Sequence, residues 1–108
     1  MLINIEDVKK VQLRIAEIKE AEDHPNADKL YVLKIDLGQG EERQLVAGIK
    51  KKYEKEALIG KKIVIVSNLQ PAVIRGVESQ GMLLAASDEE NTVVLSPESE
   101  VALGSLVR

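Results

Sequence analysis

The chain has 108 residues, with 15 lysines and arginines against 18 acids for a net charge of −3, and it contains no cysteine, tryptophan or phenylalanine. That length suits a single domain over residues 1–108 with a core of its own, and the missing cysteine excludes disulfides, thiolate metal sites and cysteine nucleophiles. Tyr31 and Tyr53 are the whole aromatic complement, too few for the stacked platform on which sequence-tolerant single-strand binders hold bases.

Asn4 is placed to cap a short helix over residues 5–10, with Glu6 and Asp7 in the first turn and Lys9 and Lys10 in the last, as the helix dipole favours. The first seven residues lack the basic and apolar regions of a signal peptide. No apolar run approaches membrane-spanning length. A cytoplasmic protein without a membrane partner is expected. Val11, Leu13 and Ile15 alternate with Gln12 and Arg14 as a half-buried strand; the phase slips at Ala16 and resumes at Ile18, which predicts a β-bulge there.

His24-Pro25-Asn26-Ala27-Asp28 has turn chemistry. His24 is the only histidine, so a multi-histidine metal site is impossible. A mixed site with Asp23 and Asp28 is a minor reading beside a plain turn histidine, and no cofactor is expected. Residues 30–37 predict a strand with Tyr31, Leu33, Ile35 and Leu37 on one face. Gly38-Gln39-Gly40 then turns a hairpin into a third strand over residues 43–49. Residues 50–59 are the one internal helical candidate, with Tyr53, Ala57 and Leu58 on one face and Gly60 as its stop. Residues 49–62 also carry six lysines against Glu54 and Glu56.

Ile63-Val64-Ile65-Val66 reads as a buried fourth strand. The connection after it, residues 67–82, holds Pro71, two glycines, Arg75 and several amides and hydroxyls; loops held by a rigid scaffold are where binding groups collect. A fifth strand is expected over residues 82–86. Further short apolar runs, residues 92–95 and 101–107, flank Pro97. Residues 88–108 carry five acids against Arg108 alone, −4 locally, which leaves +1 over residues 1–87.

Short strands with one small helix between the third and fourth predict an all-β protein, a five-stranded OB-fold barrel with a short N-terminal helix and extra C-terminal strands. The barrel core spans about residues 11–87, and 88–108 form an extension. Serines and paired acids sit in no nucleophile elbow, P-loop or zinc signature, so the chain is expected to be non-catalytic by itself.

Three motifs, His24-Pro25-Asn26-Ala27-Asp28-Lys29-Leu30-Tyr31, Asn68-Leu69-Gln70-Pro71, and Arg75-Gly76-Val77-Glu78-Ser79-Gln80-Gly81-Met82, resemble in order and spacing the tRNA-binding domain at the C-terminus of many methionyl-tRNA synthetases. The same domain occurs in free-standing tRNA-binding proteins and synthetase-associated cytokine precursors. The likeness runs from about residue 11 to 87. It implies recognition of tRNA by shape, a homodimer, and the catalytic chain of a methionyl-tRNA synthetase as a further partner. Carried over by position, the RNA-binding residues are Lys29, Arg43, Lys50, Lys51, Lys52, Asn68, Gln70, Arg75, Ser79, Gln80 and Met82. Lysines and arginines would neutralise phosphates, and Asn68, Ser79 and Gln80 would reach 2′-hydroxyls or base edges. The chain departs from the family at Gln70, where lysine is common, at Val73, where a basic residue is frequent, and at Ala47, often serine. Fewer cations lower the expected phosphate contact and salt slope. A related branch of the family implies a second reading, a chaperone-like peptide binder of protein secretion. The expected dimer contacts are the N-terminal helix and residues 91–107, with Val93, Val94, Leu95 and Leu103 as the apolar surface to be covered.

Overall fold

A computed structural model describes all 108 residues. In chain order the elements are α1 (Ile5–Lys9), β1 (Leu13–Asp23), β2 (Tyr31–Asp36), β3 (Glu42–Ala47), α2 (Lys55–Leu58), β4 (Lys62–Val66), β5 (Ala72–Ile74), β6 (Val77–Ser79), β7 (Met82–Leu83), β8 (Ala85–Ser87), β9 (Thr92–Val94) and β10 (Leu106–Val107). β3, β2, β1, β4 and β7 lie side by side in that order, while β5–β6 and β8–β9 are separate hairpins. This is the expected all-β barrel, with its small helix between the third and fourth strands.

β1 is the shared strand. Its first half pairs antiparallel with β4 on one edge and β10 on the other, and its second half pairs with β2. Strict alternation on β2 sends Tyr31, Leu33 and Ile35 inward. They meet Ala16, Ile18, Leu45, Ile63, Ile65 and Leu58 in one core, all nearly or fully buried. Leu58 comes from α2, so even a one-turn helix supplies a buried leucine, a side chain whose burial contributes about 1.5–3 kcal/mol.

Three expectations need correction. The bulge sits between Ile18 and Glu20, not at Ala16. Ile15 and Ala16 are both buried, so both faces of β1 are covered there, while residues 104 and 105 run along its edge: the Ile15 amide donates to the Ser105 carbonyl (3.0 Å), and its carbonyl accepts from Gly104 (2.8 Å). Two-sided burial imitated a slip of phase. The helix expected over residues 50–59 is only Lys55–Leu58. The amides of Lys52 and Tyr53 both close on the Ile49 carbonyl. The Tyr53 carbonyl accepts from the Tyr31 hydroxyl (2.7 Å), and the Tyr53 hydroxyl accepts from the Val94 amide (3.0 Å). Those bonds hold the segment as a turn; Ala57 is left exposed and Leu58 takes the buried place. The fifth strand divides at Leu84, whose amide still reaches the Val64 carbonyl (3.0 Å), after which β8 leaves to pair with β9.

Of the apolar residues expected at a dimer contact, Val94 belongs to the chain's own core, and Leu103 packs over Gly38. Val93 and Leu95 are exposed, as are Ile5, Val8 and Val11 in and beside α1. No helix is long and apolar enough to cross a membrane.

Glu41 ties the β2–β3 turn to β1. Its carboxylate takes hydrogen bonds from Arg14 (3.2 and 3.3 Å) and Arg43 (2.8 Å), and Arg14 also donates to the Gly104 carbonyl (3.3 Å). Arg14 foremost, and then Arg43, hold the Glu41 carboxyl below its ordinary value of 4.5. A lowered carboxyl stabilises the fold above the unfolded value and stops doing so as pH falls through the folded one. Chemical denaturation of Glu41→Gln beside the parent should therefore show a stability gap that is constant from neutral pH to about 4.5 and closes below it. A second test concerns Gly81, whose φ is +146° and where a Cβ would stand 2.9 Å from the Val66 carbonyl and 3.2 Å from Leu45. Gly81→Ala should cost about 3 kcal/mol in urea unfolding, against about 1 kcal/mol for Gly40→Ala; Gly40 also has a positive φ (+80°), but open space around it.

Candidate nucleic-acid interface

The first and third sequence motifs, some fifty residues apart, meet at one end of the barrel. His24 ends β1 and is 5% exposed. Its Nδ1 accepts from the Asn26 amide (2.9 Å), which puts the proton on Nε2, and that nitrogen donates to the Ile74 carbonyl (2.9 Å). With both ring nitrogens engaged, His24 fastens the turn to the β5–β6 hairpin and has no lone pair for a metal. Asn26 and Arg75 complete the joint: the Asn26 amide group donates to the Arg75 carbonyl (3.3 Å), and the Arg75 guanidinium to the Asn26 carbonyl (3.2 Å). Arg75 and Gly76 both have positive φ, 52° and 91°, the two-residue turn whose twist suits a hairpin. That turn holds the Arg75 side chain at the tip, exposed.

Cations gather around this joint. Tyr31 pairs with Ala47, so the chain leaving β3 runs past the Lys29 turn. Lys50 and Lys55 both reach the Asp23 carboxylate, at 3.3 and 3.5 Å. The Lys50 hydrogen bond is the main reason that carboxyl lies below its ordinary 3.8. Lys52 donates to the Glu90 main-chain carbonyl, which sets it against the acidic turn at residues 88–91. Lys29 and Lys51 are exposed. Lys29, Lys50, Lys51, Lys52 and Arg75 thus stand at one end, with Lys55 added, a residue the motif reading passed over. The three-residue lysine run was a legible signal; Lys55 becomes visible only through its shared partner Asp23.

The outer face of β1, β2 and β3 has the opposite sign. Residues alternating with the core put Glu17 beside Asp36, Asp36 beside Glu42, Glu20 beside Lys34, and Glu22 beside Val32. Five carboxylates stand against Lys34 and Lys19, the latter paired with Glu17 (3.4 Å), which leaves this face net acidic and unfavourable to phosphate.

The remaining motif residues are spread through the structure. Asn68 is exposed, yet its carbonyl accepts from the Gln12 amide (2.8 Å) and its amide group donates to the Lys10 carbonyl (2.7 Å), which pins the α1–β1 linker. Arg43 is half-buried and donates to the Ser67 carbonyl and to Glu41. Ser79 is 4% exposed; its hydroxyl accepts from the Val46 amide (3.0 Å) and donates to the Gly81 carbonyl (3.1 Å). Gln80 accepts from the Gln44 amide (2.9 Å). Gln70 is exposed, and Met82 stands half-exposed on β7.

The family described as "Putative tRNA binding domain" matches residues 13–106. A methionine–tRNA ligase of Pyrococcus furiosus is 58% identical over 106 residues, 98% of this chain and 14% of that protein. The chain therefore spans about 14% of the length of the curated relatives it matches. Among solved structures, the MetRS related protein from Pyrococcus horikoshii superimposes with a TM-score of 0.92 at 37% identity, covering 100% of this chain and 99% of the other. The chaperone CsaA from Bacillus anthracis gives 0.90 at 33% identity, with both chains fully covered.

The His24 joint is testable alone. His24→Ala strands the Ile74 carbonyl and the Asn26 amide, which should cost about 1–3 kcal/mol. Hydrogen exchange should show faster exchange concentrated in residues 72–79, with the β1–β2 ladder unchanged.

Proposed function

The chain belongs to the tRNA-binding domain family, and from that premise we propose that it binds folded tRNA by shape, through the end of the barrel that carries Lys29, Lys50, Lys51, Lys52 and Arg75. The observation that supports this reading most is the His24–Ile74 and Asn26–Arg75 joint, which fixes the Arg75 hairpin tip against the turn that follows Asp23, the carboxylate on which Lys50 and Lys55 meet. Cations held in a preset arrangement lose little side-chain entropy on binding and can follow a set spacing of phosphates along a folded backbone. Flexible lysines alone would register only charge. Within a synthetase the domain would raise tRNA affinity for the catalytic chain; as a free protein it would bind tRNA alone. It performs no chemistry of its own in either setting. The half-buried Arg43 and the pinned Asn68, Ser79 and Gln80 would act by holding the barrel and its loops in shape.

A homodimer belongs to the same proposal. α1 and β10 border an apolar groove of about 980 Å3, lined by Ile3, Ile5, Val8, Val11, Leu106 and Val107, and a second copy would cover it. Val8→Asp should then change the solution mass at micromolar concentration from twice the chain's to the chain's own. A single-chain mass for the parent removes the dimer.

The deciding experiment compares folded tRNA with an unstructured RNA of equal length at two salt concentrations. Preference for tRNA should persist at the higher salt. Arg75→Ala should weaken tRNA binding about tenfold, the loss of one charged contact, and reduce the salt slope by about one phosphate. Lys9→Ala, which removes a cation paired with Glu6 on α1, should leave binding unchanged. Equal losses from the two variants would reduce the interaction to bulk charge. Absent or salt-erased binding would overturn the tRNA reading in favour of a peptide ligand, with the acidic β1–β3 face as the feature that suits a basic peptide.

A further inference from the structure

The barrel wall has a gap. β3 and β7 run near each other without forming a ladder, and between them lies an apolar cleft of about 370 Å3, lined by Val46, Gly48, Ile49, Met82, Ala85 and Thr92 among others. The Leu37 amide donates to the Glu41 carbonyl (2.8 Å), so hydrogen bonds in the β2–β3 ladder are exchanged at that pair and every second one, ending at Tyr31 and Ala47. Gln44, Val46 and Gly48 fall between these pairs and turn their main-chain groups away from β2. The amides of Gln44 and Val46 are taken by Gln80 and Ser79. The Val46 carbonyl faces away from the β2 ladder, and the Gly48 amide has no partner within the chain. They leave one acceptor and one donor, two residues apart, along the edge of the cleft.

We propose that this cleft takes an unpaired nucleobase of the bound RNA, one that carries an amino group beside a ring acceptor, as adenine and cytosine do. The amino group would donate to the Val46 carbonyl and the ring nitrogen would accept from the Gly48 amide. The aliphatic walls and the Met82 thioether, a polarizable group suited to an aromatic ring, cover its face. Lys50, Lys51 and Lys52 follow Ile49 directly in sequence, which places phosphate-binding charge at the rim. A peptide strand could pair with the edge groups and fill the walls, but it would leave the lysines at the rim unused. The inference rests on the RNA reading and supplies it with a base contact that the cation cluster lacks.

The test is a titration of the 15N-labelled, methyl-labelled chain with AMP, CMP, N6,N6-dimethyl-AMP and ribose 5-phosphate, followed by NMR. AMP and CMP should shift the Gly48 amide and the Met82 methyl saturably. N6,N6-dimethyl-AMP, which keeps the ring but lacks the amino donor, should bind at least about threefold more weakly, the loss of one hydrogen bond. Ribose 5-phosphate should leave both signals in place. Ala85→Leu, at an exposed position, should fill the cleft and abolish the shifts while the salt slope for folded tRNA stays the same. Stationary Gly48 and Met82 signals with every nucleotide would overturn the assignment, as would equal shifts with ribose 5-phosphate, or saturation by a leucine-rich peptide with nucleotides inert. The two readings fail separately. Folded tRNA that binds while Gly48 stays still removes only the base site. AMP that shifts Gly48 while tRNA fails to bind removes only the tRNA reading.

Discussion

Where β3 and β7 fail to pair, Ser79, Gln80 and Gly81 close the barrel in place of a strand. The Ser79 hydroxyl takes the Val46 amide, and the Gln80 side chain takes the Gln44 amide. The Gln80 main-chain amide returns to the Gln44 carbonyl (2.8 Å). Gly81 lets the backbone of β4 and the Leu45 side chain come closer than any Cβ allows. Each buried polar side chain is satisfied, which matters because an unmade hydrogen bond there costs more than a made one contributes. The closure also reaches outward. It anchors the trailing end of the β5–β6 hairpin on β3, while His24 anchors its tip through Ile74. A hairpin fastened at both ends cannot swing freely, so Arg75 is presented in one orientation, despite a left-handed backbone that a non-glycine residue adopts only under constraint.

A chain of net −3 can serve a polyanion because its charges are sorted. Acids dominate the outward rows of β1, β2 and β3, and the acidic turn at residues 88–91 meets Lys52 at the edge of the basic segment. Cations occupy the end where the His24 turn, the Lys50 segment and the hairpin tip meet. At physiological salt a charge is felt over roughly 8 Å, a fraction of the molecule's 38 Å longest extent. Local sign therefore governs contact, and under the proposed reading a nucleic acid would meet the basic end rather than the acidic face.

Periodicity made β2 legible almost residue by residue, since Tyr31, Leu33, Ile35 and Leu37 alternate cleanly and all are buried. It failed on β1, because a strand covered on both faces loses its alternation without any extra residue. It failed again over residues 50–59, where the hydroxyls and carbonyls of two tyrosines fix a turn across distances that a local pattern does not report. The motif residues show the same limit in another form. The polarity of Asn68, Ser79 and Gln80 stood out in the sequence, but their partners, at Gln12, Val46 and Gln44, lie more than thirty residues away. A serine reserved for a strand edge and one reserved for a ribose look alike until the partner is known. Arg75 was named only through the resemblance, because the two-residue turn that carries it to a hairpin tip lay hidden inside residues 67–82, read as one connection.

The departures at positions 70 and 73 also take on a different meaning in the fold. Val73 is 73% exposed on β5 and pairs across the hairpin with Glu78. Glu78 in turn borders Lys34, Glu42 and Gln44 on the acidic side of the barrel. A lysine at position 73 would lie directly opposite the Glu78 carboxylate, where cross-strand attraction holds charges to each other, and would have little left for phosphate. Its absence therefore removes less RNA affinity than a count of cations suggests. Gln70, exposed and unbonded, likewise leaves the flank of the hairpin without positive charge. The flank belongs electrostatically to the acidic face and the tip to the basic end, so the boundary between repulsion and contact runs along a single hairpin, between Val73 and Arg75.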